Sequence, residues 1–388
     1  EQFGVMSSRI QENLSGMRIV KAFARSHLEI SKFSDLNEEY VERNRRLIKL
    51  RSLFYPFTFL LNGVSMVVIL WLGGLRVIDG ALTLGAFVAF NAYLIRMSRP
   101  MMMLGRMVDE HQRAVASLAR IEVVLKERQQ VLDLTDDSKG RAGEIEFRNV
   151  AFSYNGSLAL KDVTVKVPAG STLAVVGRVG SGKSTLARLI PRLIHADEGD
   201  VLIDGVPIEE IPISEIRGMI GYVPQDTFLF SDTIRENVLL GDSGSDGSAV
   251  DRATKVSKLA QDLDVMSDGL DTIVGERGVT LSGGQKQRAA LARAVIREPK
   301  ILILDDAMSS VDTRTEEAIL KELREVMSQR TTILIAHRIS TVRDADHIIV
   351  MDEGRIIEQG DHDSLVDQDG IYAEMFRRQH LAAELDKF

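Results

Sequence analysis

The sequence predicts a multi-domain chain: an α-helical transmembrane hairpin with cytoplasmic helical extensions, followed by an α/β domain on a mainly parallel sheet. Three observations carry that prediction. From Ser52 to Leu75 no residue is charged, and about 20 apolar residues are enough to cross a bilayer as a helix. Beyond Gly143 short apolar runs alternate with helix-period segments, the texture of an α/β domain. Within it, ILILDD (301–306) sets four aliphatic residues against two carboxylates, as a buried parallel strand does when a site lies at its tip.

In chain order, residues 10–33 place Ile10, Leu14, Met17, Val20, Ala24 and Leu28 at three- and four-residue steps, an amphipathic helical pattern interrupted by Gly16. The first span follows over 52–75. The loop RVIDG (76–80) leads to a second uncharged stretch that ends at Arg96. That span is set at 80–104 by admitting Arg96 and Arg99, which must face a wet cavity or the headgroups. Arg43, Arg45, Arg46, Lys49 and Arg51 precede the first span, and Arg96, Arg99, Arg106 and Arg113 edge the second. The loop between holds only Arg76 beside Asp79, so the positive-inside rule puts both ends in the cytoplasm. A soluble helical hairpin is the alternative, and the length of the first run weighs against it. The pattern continues past Arg106 as a helix leaving the membrane. Residues 1–128 thus form the membrane part, and 129–143, polar and without period, a linker.

Over 144–388, EIEFRNVAFSY, STLAVVG, KILILDD, TTILIAH and HIIVMDEG read as strands. KSTLARLIPRLI, AALARAVIRE and TEEAILKELREVMS read as helices, and GDSGSDGSA (241–249) as a surface loop. A net charge of −8 argues against a dedicated nucleic-acid binder. The absence of cysteine excludes a disulfide framework or a thiolate metal site. The chain opens on Glu1 without a signal-peptide pattern and reads as a fragment of a longer protein.

GRVGSGKST (177–185) follows a strand, opens a helix and satisfies G-x-x-x-x-G-K-[ST]. Gly177, Gly180 and Gly182 let the backbone from Ser181 to Thr185 curl around phosphate oxygens at a helix N-terminus. Lys183 then reaches the β- and γ-phosphates of a nucleotide, and the Ser184 hydroxyl holds Mg²⁺. With that loop in place, ILILDD is the second strand such an enzyme needs, with Asp305 on the Mg²⁺ shell and Asp306 beside the attacking water. Helix capping is the structural alternative. LSGGQKQRAALARA (281–294) is a second anion cradle: Ser282 caps the helix, and Gly283 and Gly284 bare the amides ahead of Gln285. From the residues alone, an ordinary capped helix explains it equally well.

The P-loop, LSGGQ and ILILDD, in this order, resemble the nucleotide-binding domain of ABC ATPases, from about Gly143 to the C-terminus. The resemblance implies a P-loop NTPase fold with ATP and Mg²⁺ as cofactors. It also implies two domains paired head to tail, the LSGGQ of one closing on the ATP held by the other. It assigns adenine stacking to Tyr154, Mg²⁺ sensing and membrane-domain contact to Gln225, and a γ-phosphate contact to His337. SSVD (309–312), with Asp312, becomes the loop that communicates between sites. Without the resemblance, Tyr154 is a strand residue, Gln225 a loop residue and His337 a structural histidine. VGERG (274–278) resembles a segment peculiar to the exporter branch, the multidrug- and lipid-type half-transporters. Residues 1–128 resemble the last third of an exporter membrane domain, with a coupling helix at about 12–23 and the fifth and sixth of six spans.

One position departs from the family. Most members carry a glutamate general base after the Walker-B aspartate, and here stands Asp306, one methylene shorter. A misplacement of about 1 Å can cost on the order of a hundredfold in rate. The chain therefore resembles the degenerate-site subunit of a heterodimeric exporter, with a slow site of its own and an intact LSGGQ that serves a homologous partner. A homodimer with two slow sites is the alternative. The expected protein is half of a dimeric exporter in the cytoplasmic membrane. It would couple ATP-driven closure to export of an unidentified drug- or lipid-like solute, among membrane lipid and with no nucleic-acid partner. Two other classes compete: a soluble ABC ATPase acting on DNA or ribosomes, and a nucleotide-gated regulatory membrane subunit.

Overall fold

The computed structural model describes residues 2–126, 140–275 and 280–385, and the chain divides into two compact units, Glu1–Arg128 and Gln129–Phe388. Most of the expected linker, and VGERG beyond Gly275, lie outside the described residues.

The first unit is helical: α1 Gln2–Ser15, α2 Met17–Ala22, α3 Ser26–Ile78 and α4 Leu84–Lys126. The helix predicted over 10–33 is broken twice, at Gly16 and again where Ala24 takes a left-handed φ of 52°. The expected coupling segment thus contains the short helix α2. Arg9 bridges the pieces by pairing with Glu12 at 2.9 Å and with Glu29 of α3 at 2.6 Å. In α3 an apolar window runs Phe59–Ile78 among the described residues, and none of it is buried. Trp71 is 70 % exposed. Such a surface is a liability in water and a requirement in hydrocarbon. The apolar part of α4 is shorter among the described residues, Leu84–Met97. Among the described residues one helix alone is long and apolar enough to cross by itself. Gly73 lets α3 approach α4, since a Cβ there would lie 2.7 Å from the Phe87 ring.

Among its described residues the second unit contains ten strands: β1 Ile145–Tyr154, β2 Ser157–Val167, β3 Thr172–Gly177, β4 Glu198–Ile203, β5 Val206–Pro207, β6 Ile220–Val223, β7 Ile301–Asp305, β8 Thr331–Ile335, β9 His347–Asp352 and β10 Arg355–Gly360. Its helices are α5 Lys183–Leu189, α6 Ile213–Met219, α7 Ile234–Leu239, α8 Gly247–Val256, α9 Ala260–Leu263, α10 Gly283–Val295, α11 Thr313–Met327, α12 Ile339–Val342, α13 His362–Asp367 and α14 Ile371–Leu385. Six strands form a sheet in the order β10-β9-β3-β8-β7-β6, parallel from β9 to β6 with β10 antiparallel at the edge. This is the mainly parallel sheet the sequence predicts. A second sheet, β2-β1-β4-β5, is antiparallel and was not expected.

β7 shows why four consecutive aliphatics are needed. Ile301 and Ile303 join one core cluster and Leu302 and Leu304 another, because successive side chains leave a strand on opposite faces and both faces are covered. A third cluster packs α7 and α8 against α10. Two boundaries differ from the sequence reading. α5 stops at Leu189, before Pro191, where Arg192 takes a φ of 51°. The loop at 241–249 ends early, because Asp246 caps α8 by accepting the Ala249 N–H at 2.9 Å.

Candidate functional site

The register of the parallel strands builds one edge. Val175 of β3 pairs with Ile335 of β8, and Ile335 with Asp305 of β7, so the chain leaves all three strands side by side. Ligands of α/β sheets gather at these carboxyl ends.

The loop after β3 is shaped by glycine. Gly177 and Gly182 take φ of 146° and 99°, and a Cβ would lie 2.1 Å from the Met351 carbonyl oxygen at the first and 2.6 Å from that of Ala159 at the second. Close packing requires these glycines as much as the backbone angles do. Buried Lys183 reaches back across the loop and donates to the carbonyls of Gly177 (2.9 Å) and Arg178 (2.7 Å). Burial pushes its ammonium below the ordinary lysine value, and Asp305 and Asp306 oppose that shift. The Ser184 hydroxyl donates to Asp305 Oδ1 at 2.8 Å.

Asp305 is 1 % exposed. Its Oδ2 has no hydrogen-bond partner, and burial pushes its carboxyl up from the usual range against the Ser184 bond and Arg188. An orphaned buried carboxylate oxygen beside a hydroxyl is a hard-oxygen set, which suits Mg²⁺. Ser184 and Asp305 therefore fit the ion.

Asp306 adopts a left-handed φ of 49°, which aspartate tolerates, and donates its N–H to the Ile335 carbonyl at 3.0 Å. It lines a cavity of about 160 Å³ with His337, Arg338, Glu316 and Thr341. Two of the expected site residues are thus brought together there. Gln225, in the turn after β6, is exposed. No hydrogen bond among the described residues ties it to Ser184 or Asp305. Tyr154 is 42 % exposed, with the Phe152 ring edge-on at 4.7 Å.

Arg188 stands one turn after Ser184, and the nearby Tyr154 phenol, then that of Tyr222, hold its guanidinium above the ordinary value against burial. The sequence reading missed both Arg188 and Tyr222. The one available signal was the spacing of Arg188 from Ser184 on α5.

At the second cradle Ser282 caps α10 in a reciprocal box: its hydroxyl accepts from the Gln285 N–H (3.3 Å), and the Gln285 side chain accepts from the Ser282 N–H (2.9 Å). Ser282 and Gly283 are exposed. The glycines have a second task, since a Cβ on Gly283 would lie 3.2 Å from Ser310 Cβ. Gln287, 4 % exposed, fastens the same loop by donating to Ser309 Oγ and accepting from the Ser310 N–H, both at 2.8 Å. Asp312 caps α11 through the Thr315 N–H, which holds its carboxyl below the usual range. No hydrogen bond among the described residues joins the Ser282 turn to the Lys183 loop.

Comparison with known proteins fits this arrangement. Residues 1–101 match the family described as the ABC transporter transmembrane region, and residues 160–309 the one described as ABC transporter. The chain is 40 % identical over 382 residues, 98 % of its length, to the "Probable multidrug resistance ABC transporter ATP-binding/permease protein YheI" of Bacillus subtilis, of which it spans 65 %. It is 36 % identical over 381 residues, again 98 % of its length, to an "ATP-dependent lipid A-core flippase" of Desulfotalea psychrophila, of which it spans 67 %. A solved structure, "Structure of a bacterial Atm1-family ABC exporter with ATP bound", superposes with a TM-score of 0.89 at 37 % identity, covering 97 % of this chain and 67 % of that one.

The chain belongs to the ABC transporter family, with a helical transmembrane region followed by the family's α/β ATPase domain. Its match to a transporter membrane region sets aside the soluble DNA- or ribosome-acting ATPase. The chain spans about two thirds of the length of these relatives.

Proposed function

We propose that this chain is part of one half of a dimeric ABC exporter that hydrolyses ATP to move a drug- or lipid-like solute across the cytoplasmic membrane. The observation that carries the reading is the contrast within one domain. Buried Lys183 and Asp305 stand with half-buried Ser184, which bonds Asp305, and one carboxylate oxygen is left over, while the Ser282 turn stays exposed and unattached to them.

In this reading Lys183 exchanges the Gly177 and Arg178 carbonyls for phosphate oxygens, and Ser184 and Asp305 hold Mg²⁺. The ion, when bound, neutralises charge on the β- and γ-phosphates. Tyr154 stacks on adenine. His337 contacts the γ-phosphate, and Gln225 joins the site only when its loop moves inward. Asp306 orients water from one methylene too far away, so this chain's own site turns over slowly. The segment Ser282, Gly283, Gly284 and Gln285 closes on nucleotide held by the other half. That half is a homologous chain with a longer carboxylate, and a homodimer is the alternative. The solute class rests on the relatives' names, one for multidrug resistance and one for lipid A-core.

The test is solute flux into vesicles carrying the full-length dimer. Flux should require ATP and Mg²⁺. Lys183→Ala should lower nucleotide labelling of this chain by about a hundredfold or more, as losing a charged phosphate ligand does. Labelling unchanged by that variant would refute the site. Asp306 itself supports a second reading, a subunit that ATP gates without turnover, and solute-stimulated hydrolysis by the pair would exclude it.

A further inference from the structure

The C-terminal helix is fixed to the domain before it reaches the site. α14 begins on the carboxylate of Glu358 in β10, which accepts the N–H groups of Ile371 (2.6 Å) and Tyr372 (3.0 Å). Tyr372 is fully buried, and its hydroxyl lies 2.8 Å from Nδ1 of His362. Two turns further on, half-buried Gln379 meets the connection between β8 and α12. Its Nε2 donates to the His337 carbonyl and its Oε1 accepts from the Ile339 N–H, both at 2.7 Å.

One amide thus satisfies a backbone acceptor and a backbone donor on either side of Arg338, as a neighbouring strand would. The opposite flank is held as well. Glu316 of α11, 5 % exposed, accepts from the Thr341 hydroxyl at 2.6 Å and pairs with Arg338. His337 lies in a three-residue connection, Ala336 to Arg338, gripped by two helices, and lines the cavity it shares with Asp306.

We propose that Gln379 is a positioning residue for His337: through this one amide, α14 sets where the histidine stands relative to Asp306 and so governs turnover at this chain's own site. The proposal rests on reading that site as an ATPase. It adds to the site a helix that none of the nucleotide motifs includes. Losing the amide leaves a carbonyl and an N–H unpaired and frees the connection to shift, and about 1 Å of misplacement is enough to change a rate on the order of a hundredfold.

The experiment uses the full-length transporter and a photoreactive azido-ATP that cross-links to each chain, so that bound di- and triphosphate are resolved chain by chain. Gln379→Met keeps length and packing and removes both hydrogen bonds. Hydrolysis on this chain should fall about tenfold, with the extent of labelling held within about twofold and faster hydrogen exchange at the Ile339 amide. Gln379→Glu keeps the acceptor for Ile339 and loses the donor to His337, so it should lie between, and it asks the same question should the Met variant not accumulate. Unchanged hydrolysis overturns the proposal, as does a parallel loss of labelling and hydrolysis, which would mark a merely structural residue. If Lys183→Ala leaves the labelling intact, the ATP-site reading itself falls and takes this proposal with it.

Discussion

The Lys183 loop and the Ser282 turn are both glycine-rich helix N-termini, yet they are built to opposite ends. The first closes on itself. Its lysine is buried on two of the loop's own carbonyls and its serine is bound to Asp305, so the polar groups of the loop are already satisfied within it. The second is capped, exposed and braced from behind by Gln287 and Ser310. On the proposed reading, the first is a complete site and the second is half of one, closed by the other half of the dimer. An anion cradle is therefore defined less by its glycines than by what stands behind them.

That contrast ranks the expected effects. Lys183→Ala strikes the closed cradle and is the largest, at about a hundredfold or more in nucleotide labelling. Asp306→Glu comes next. A correctly placed general base contributes at least about a hundredfold, but glutamate must enter the left-handed backbone that suits aspartate at 306. A rise of roughly tenfold in hydrolysis on this chain is expected, read by chain-resolved azido-ATP, and no rise would remove the slow-site argument. Ser282→Ala is the smallest. It removes one cap bond and should cost about 1 kcal/mol of helix stability, seen as an earlier thermal transition. Labelling of this chain should not change, because the turn does not touch the Lys183 loop. Lost labelling would break the distinction between the two cradles.

Much of this architecture is visible in residue order. ILILDD announces a strand buried on both faces, and the glycine spacing of 177–182 announces the loop beside it. The antiparallel sheet was harder to see, since its strands come from separated stretches of the chain and β1 pairs with β4 across irregular register. Gln287 and Gln379 were invisible because each works through a partner distant in sequence: Gln287 on Ser309 and Gln379 on His337. No period or motif marks such a residue. The same holds for Gly283, whose contact with Ser310 exists only once α10 and the loop after β7 are folded together.

The most direct test uses pairs of introduced cysteines, of which these 388 residues hold none of their own. Ser282→Cys in this chain is combined with a cysteine in the phosphate loop of the other half, and Val179→Cys here, at a 90 % exposed position, with one in the other half's signature turn. With ATP and Mg²⁺ bound, both pairs should form disulfides across the subunit boundary, and without nucleotide neither should. Failure of both pairs to cross-link under nucleotide would contradict the account.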